Sequence, residues 1–226
     1  MTTGHMVLAP LLPLTALLVA ACTSDEPSGA PPPSGALVAA ATTGDADEVG
    51  RLLDAGADPD AADADGRTAV THAAYGGHAD VVRALIDAGA DVDRQDTTRA
   101  NALLSTGETG LVDVLEEVLR ADPDLMRTNR FGGTALIPAA DRGHVDTVRR
   151  LLETDMDIDH VNDLGWTALL EAVILGDGGR AHTEIVRLLV EAGADVSIRD
   201  GEGVTALAHA RAARYDEIVA ILEAAE

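Results

Sequence analysis

The residues best spaced to do chemistry are two runs of alternating carboxylates. Asp58, Asp60, Asp63 and Asp65 form one, and Asp155, Asp157 and Asp159 the other. Carboxylates at alternate positions are what a loop needs to ligate Ca²⁺ through oxygen. The first run lacks the distal Glu that closes an EF-hand loop, and Asp also caps turns and faces water. A calcium-binding module built on these loops is therefore an alternative reading of function. His78 and His144 form a second constellation, in equivalent sequence contexts. With about 8–10 Å between packed helices, their rings stand about 20 Å apart if one helix pair lies between them. One ion cannot bridge them, and Leu111 holds the place between. They are expected to be packing histidines at helix starts. The Gly-rich run "GDGGR", residues 176–180, lacks the Lys-Ser/Thr end of a phosphate loop, follows no strand and fails the dinucleotide spacing. The thiol of Cys22 has no base beside it in sequence. Catalytic residues, metal and cofactor are all expected to be none.

Composition narrows the partners. The formal charge is −23, and all 16 basic residues counted as Lys or Arg are Arg. So acidic a body repels phosphate backbones, which disfavours nucleic acid. One Phe, one Trp and two Tyr leave Leu, Val, Ile and Ala to build the core. The single Cys rules out an intrachain disulfide.

That Cys22 closes an uncharged stretch running from Val7 to Ala21. Such a stretch is short of the roughly 20 apolar residues needed to span a bilayer. It fits the hydrophobic region of a secretory signal peptide over residues 1–21. Val19-Ala20-Ala21-Cys22 resembles a bacterial lipobox, in which the cysteine takes the lipid. The first five residues carry no Lys or Arg. Residues 22–34 then read as a lipidated Cys followed by a Pro- and Ser-rich tether. These features predict an exported lipoprotein, on the periplasmic or cell-surface side of a membrane.

The elements that would position any site follow from internal repetition. "GRTAVTHAAYGGHADVVRALIDAGADVD" from Gly66 matches "GGTALIPAADRGHVDTVRRLLETDMDID" from Gly132 in phase. Thr68, Asn101, Thr134 and Thr167 fall 33 apart, and Thr205 follows 38 later, so five extra residues enter the fifth unit. Six units are expected, near 35–67, 68–100, 101–133, 134–166, 167–204 and 205–226. In each, a Thr or its equivalent caps a short helix. Small residues such as Ala73 and Ala74 admit the next unit, and Gly77, Gly110 or Gly143 turns the chain. Apolar pairs such as Val81-Val82 and Leu85-Ile86 face a second helix inward. The extra residues, within 176–183, are expected between helices at 168–175 and 183–191, as a longer first helix and a wider turn.

This period and these positions resemble the ankyrin repeat, over about 190 residues. Thr68, Val70, Ala73, Ala74, Gly77, His78, Val81, Val82, Leu85, Ile86, Gly89, Ala90 and Asp91 follow the family pattern. The pattern's Pro is replaced by Ala in every unit, and its His by Thr71, Leu104, Ile137, Leu170 or Ala208. The resemblance implies an all-α solenoid of helix-turn-helix units, with β-hairpin or loop fingers along one edge and without the family's buried His relay. It also implies a non-catalytic, monomeric domain that binds a protein partner through fingers and inner helices.

The rings suggest where. Phe131 and Trp166 lie outside the helical apolar stripes, in adjacent fingers, and Leu164 takes the same place as Phe131. Arg99, Arg127 and Arg130 lie in nearby loops. Trp and Arg are favoured contact residues, so Phe131, Leu164, Trp166 and these three arginines are the candidate partner-binding set. The alternative is that the rings only cover neighbouring fingers. If the start of the chain is no signal, the protein is instead a cytoplasmic ankyrin adaptor. Lipid labelling decides this point. The wild-type chain expressed in bacteria should incorporate radiolabelled fatty acid, and the Cys22→Ala variant should not; an unlabelled wild type would refute the anchor.

Overall fold

The computed structural model describes Met1 and residues 33–225. The signal region, Cys22 and the tether up to residue 32 lie outside the described residues. Twelve helices follow one another among the described residues, in six antiparallel pairs. The inner helix of each pair comes first: α1 (Ser34–Thr43), α3 (Ala69–Gly76), α5 (Ala102–Thr109), α7 (Leu136–Asp141), α9 (Ala168–Ile174) and α11 (Ala206–Ala213). The outer helices are α2 (Ala46–Asp54), α4 (Ala79–Asp87), α6 (Val112–Leu119), α8 (Val145–Leu151), α10 (Arg180–Glu191) and α12 (Asp216–Glu223). Inner packs on inner and outer on outer down the stack, α1 on α3 through α9 on α11 and α2 on α4 through α10 on α12. This is the stacked helical architecture expected from the repeat. The fingers hold turns with little strand character. Among the described residues the only bridges outside named strands are Ala62–Thr68 and Arg199–Thr205.

The inner helices are thin because their buried positions are small. Ala69, Ala73 and Ala74 of α3 are fully buried, as are Ala139 and Ala140 of α7. Larger side chains fill the layer between inner and outer helices, with Val81, Val82 and Leu85 of α4 fully buried. Their spacing puts them on one helical face. Across the outer surface, ion pairs link successive helices, Arg150 to Glu116 at 2.7 Å and Arg187 to Glu217 at 3.3 Å. Glu117 accepts from both Arg83 and Arg120, and these bonds pull its carboxyl down to about 2.

The caps recur with the period. Thr68, Asn101, Thr167 and Thr205 each accept the backbone N–H three residues on. Thr134 does not, which corrects the expectation for the fourth unit. Its helix starts late, at Leu136, and its buried Oγ1 has no hydrogen-bond partner. The cause lies in Pro138. The residue at that place elsewhere donates its N–H to the cap residue's carbonyl, as His72 does to Thr68 and Glu171 to Thr167. Proline has no N–H to give.

A second periodic device ties every repeat but the third to the one before it. The last carbonyls of a helix have no intrahelical donor. His78 Nε2 reaches the Thr42 carbonyl at 3.3 Å, His144 Nε2 that of Glu108 at 3.1 Å, and His182 Nε2 that of Asp141 at 2.8 Å. Tyr215 donates its hydroxyl to the Gly176 carbonyl at 3.0 Å. Each carbonyl lies at or just beyond the C-terminal end of an inner helix. Packing histidines were expected at 78 and 144; here they also cap the preceding unit.

The inserted residues go elsewhere than expected. The first helix of the fifth unit is not lengthened, since α9 ends at Ile174. The second gains instead, because α10 starts at Arg180 and runs 12 residues. Asp177 Oδ1 accepts from Gly179 N–H at 2.8 Å and lies 2.8 Å from His182 Nδ1. Gly178, at φ +66°, has no side chain where the Tyr215 ring lies, and an added Cβ would overlap that ring. The insertion is thus a seat for the sixth unit.

Close stacking makes a testable contrast between two helical glycines. At Gly107 of α5 an added Cβ would overlap the Ala135 carbonyl of the next unit, whereas at Gly50 of α2 it meets nothing within 4 Å. Gly50→Ala should stabilise by about 0.5–1 kcal/mol through helix propensity. Gly107→Ala should destabilise by about 1–3 kcal/mol through overpacking. Urea denaturation midpoints of the two variants check both signs.

Candidate partner-binding groove

The fingers are shaped by one Asp or Asn per repeat. Asp63, Asp96, Asn129, Asn162 and Asp200 each turn Oδ1 back to accept two backbone N–H groups, two and four residues on. For Asn129 these come from Phe131 and Gly133, and for Asn162 from Leu164 and Trp166, all at 2.9–3.0 Å. The turn then needs a left-handed residue. Gly66, Gly132, Gly165 and Gly203 supply it, and Arg99 takes it at φ +61° in the second finger. A non-glycine there carries backbone strain. Adjacent fingers are joined by Asp163 N–H to the Phe131 carbonyl at 2.9 Å and His160 Nε2 to the Gly132 carbonyl at 2.7 Å.

Most carboxylates of the two Asp runs are occupied by this architecture. Asp58 accepts from Asp60 N–H, Asp60 from Asp91 N–H, Asp157 from Asp159 N–H and Asp159 from Asp195 N–H. Among the described residues no three His, Cys, Asp or Glu side chains converge as a metal site requires. The calcium reading gains no support from this geometry.

Between the fingers and the inner helices lies a groove of about 450 Å³. Its floor comes from Leu104 and Glu108 of α5, Ile137, Pro138 and Asp141 of α7, and Glu171 of α9. Arg130, Phe131 and Leu164 line it from the fingers, and Leu175 from the end of α9. Phe131 is 52% exposed and Leu164 54%. The Arg130 guanidinium lies over the Phe131 ring, 4.8 Å from its centroid. The six candidates from sequence therefore divide. Phe131, Leu164 and Arg130 come together on the groove. Trp166 is half-buried, packed against the core and absent from the groove lining. Arg99 and Arg127 are exposed outside it, Arg99 on Thr128 Oγ1 at 2.7 Å and Arg127 on Asp124 at 3.2 Å.

Sequence reasoning missed Glu171. It occupies the place that His72 and His209 hold in the second and sixth units. Those histidines contact the finger carboxylates of Asp63 and Asp200 at 2.8 and 2.6 Å. In the fifth unit the finger residue is Asn162, whose Nδ2 donates to Glu171 Oε1 at 2.7 Å. The pair is kept with donor and acceptor exchanged. The departure was visible in the sequence as Asn162 with Glu171 against Asp63 with His72. Only 7% of Glu171 is exposed. Burial, and then the nearby Asp141 charge, raise its carboxyl to about 7 against the Asn162 bond. On the other side of the groove Tyr75 donates to Glu108 at 2.8 Å, and burial together with that bond raises the phenol to about 12.

The chain's relatives bear on this geometry. The sequence matches the family described as "Ankyrin repeats (3 copies)" over residues 12–96, 37–124 and 102–200. A crystal structure of an ankyrin repeat domain from Acinetobacter baumannii AYE is similar at 43% identity and TM-score 0.81, covering 84% of this chain and 96% of that one. Another crystal structure, of an ankyrin repeat protein, is similar at 42% identity and TM-score 0.81, covering 84% of this chain and 98% of that one. The comparison with curated proteins finds no match.

Glu171 gives the groove a pH signature. Its folded pKa, about 7, lies above the ordinary 4.5, so the folded state holds a proton that the unfolded chain has released between these values. Stability from this group is therefore fully present below about 4.5, falls as pH rises, and is lost above about 7. Glu171→Gln should stabilise the protein by about 1–3 kcal/mol near pH 8 and by almost nothing near pH 4.5. Chemical denaturation at the two pH values measures the difference, and an equal effect at both would contradict it.

Proposed function

Because the chain belongs to the ankyrin-repeat family, whose members are protein–protein interaction modules, we propose that it is a non-catalytic scaffold that binds a polypeptide partner in this groove. The observation that carries the reading is the pair of exposed apolar side chains, Phe131 and Leu164, on adjacent fingers beside a concave floor. Exposed large apolar groups lining a concavity mark interaction sites more often than they stabilise a monomer. Recognition is by surface complementarity, with Phe131 and its stacked Arg130 as the anchor and Leu164 as its neighbour. Trp166 supports the finger from below. Arg99 and Arg127 extend the contact along the finger edge, and the strained backbone at Arg99 fits a residue retained for its side chain.

The location is part of the same proposal. Export, lipid attachment at Cys22 and a proline-rich tether would present a monomeric domain near a membrane surface, where its partner would be another envelope protein. The lipobox-like sequence and the lone cysteine support this.

Affinity capture from the native envelope, with the full chain as bait, tests the site. Leu164→Asp should reduce partner capture by at least about tenfold, as loss of a contact worth 1.4 kcal/mol or more does, with little change in melting temperature. Trp166→Ala should instead lower the melting temperature and spare capture at temperatures where the variant is folded. Capture indifferent to Leu164→Asp would place the partner elsewhere.

A further inference from the structure

The groove holds an electrostatic imbalance. Three arginines line it, and two of them are paired with carboxylates. Arg67 is drawn to Asp96 at 2.9 Å, Arg142 pairs with Glu108 at 3.2 Å, and Arg130 lies over Phe131. None pairs with Asp141 or Glu171, which lie close enough for one charge to act on the other. Glu171 is more than nine-tenths buried, and its one hydrogen bond among the described residues goes to Oε1. Its other carboxyl oxygen accepts from no protein group among the described residues and is reached from the groove that the residue lines. A buried carboxylate in that state is costly unless a cation or a further donor reaches it.

We infer that this floor takes the ammonium or guanidinium group of a lysine or arginine presented by the bound polypeptide, between Asp141 and Glu171, with apolar neighbours of that residue on Phe131 and Leu164. The inference rests on the groove being the binding site. Charge complementarity selects the occupant. The floor offers two carboxyls without a counter-ion, the walls offer apolar side chains, and the formal charge of −23 draws basic segments from a distance. A cation seated there would relieve the mutual repulsion and donate to the empty oxygen.

Binding of this kind depends on ionisation of Glu171. The other groups around it are Asp141 and Arg142 at the end of α7, Glu108 on α5 and Asn162 in the finger. His209 on α11 is held 2.6 Å from Asp200, and His182 on α10 sits between the Asp141 carbonyl and Asp177, each at 2.8 Å. With its carboxyl raised to about 7, Glu171 is largely protonated in mild acid, and a cation then loses its partner.

The test uses two blocked tripeptides, Leu-Lys-Leu and its norleucine analogue, titrated into the full chain by NMR with the Glu171 carboxyl carbon as reporter. The lysine peptide should bind at least about tenfold more tightly than the norleucine peptide at about pH 8. Its affinity should fall about tenfold for each pH unit below about 7. At saturation it should move the Glu171 titration to lower pH in the wild-type chain. Glu171→Gln should remove the pH dependence. Equal binding of the two peptides, an unmoved Glu171 titration, or no binding of either would overturn the inference. If both peptides bind equally and Leu164→Asp abolishes both, the groove stands as the site and only the cation subsite falls. If partner capture ignores Leu164→Asp as well, the groove reading falls with it.

Discussion

An inner helix of this solenoid can neither bury its alanine face nor satisfy its last carbonyls on its own. Ala73 and Ala74 remove enough bulk for the next helix to approach, and that approach brings an outer-helix side chain within reach of the preceding helix end. At four of the five junctions between repeats a ring closes the contact, from His78, His144, His182 or Tyr215. Leu111 holds the remaining place and packs beside Gly77. Each such bond is worth about 1 kcal/mol net, but its larger effect is to set spacing. The stack therefore has one comfortable register, and the fingers inherit it.

The fingers depend on that register because they are short and lack sheet pairing. Each is folded locally by its Asp or Asn, and backbone bonds from Thr97 to Asp65 and from Asp163 to Phe131 tie neighbouring fingers together. Phe131 and Leu164 come side by side because both stand two residues after such an Asn, in units packed directly together. The same device explains Glu171. A helix side chain below the finger can contact the Asx group in two ways, as histidine beside aspartate or as glutamate accepting from asparagine. The second arrangement leaves a carboxyl in the groove where the second and sixth units carry an imidazole, and burial changes its chemistry.

Departures from the repeat collect in the third to fifth units, which also build most of the groove. Pro138 removes one N–H, delays α7 and leaves Thr134 without its cap. Gly107 accommodates the Ala135 carbonyl that this start brings close. The five-residue insertion lengthens α10 and receives Tyr215 against Gly178. Regular units on either side supply rigidity, while the irregular ones supply the concavity. Local rules broken at one place in an otherwise consistent array point to that place as the one with a job beyond folding.

The period, the number of units, the helix pairs and most caps were legible in the sequence, because each depends on residues within one repeat. Thr68 caps through its own hydroxyl, and Gly77 turns the chain through its own φ. The acidic character was legible too, since net charge needs no coordinates. What the sequence could not decide depended on distance across units. Phe131, Leu164 and Trp166 looked equivalent, yet only Phe131 and Leu164 line the groove, whereas Trp166 follows the left-handed turn at Gly165 and packs against the core. Thr134 looked like its counterparts until the missing N–H of Pro138, four residues on, shifted the helix start. Glu171 read as one more acid among 39 acidic residues. Its burial, its nearness to Asp141 and its lack of an arginine partner arise only when α7, α9 and a finger close around it, since a carboxyl's charge is set by its surroundings more than by its type.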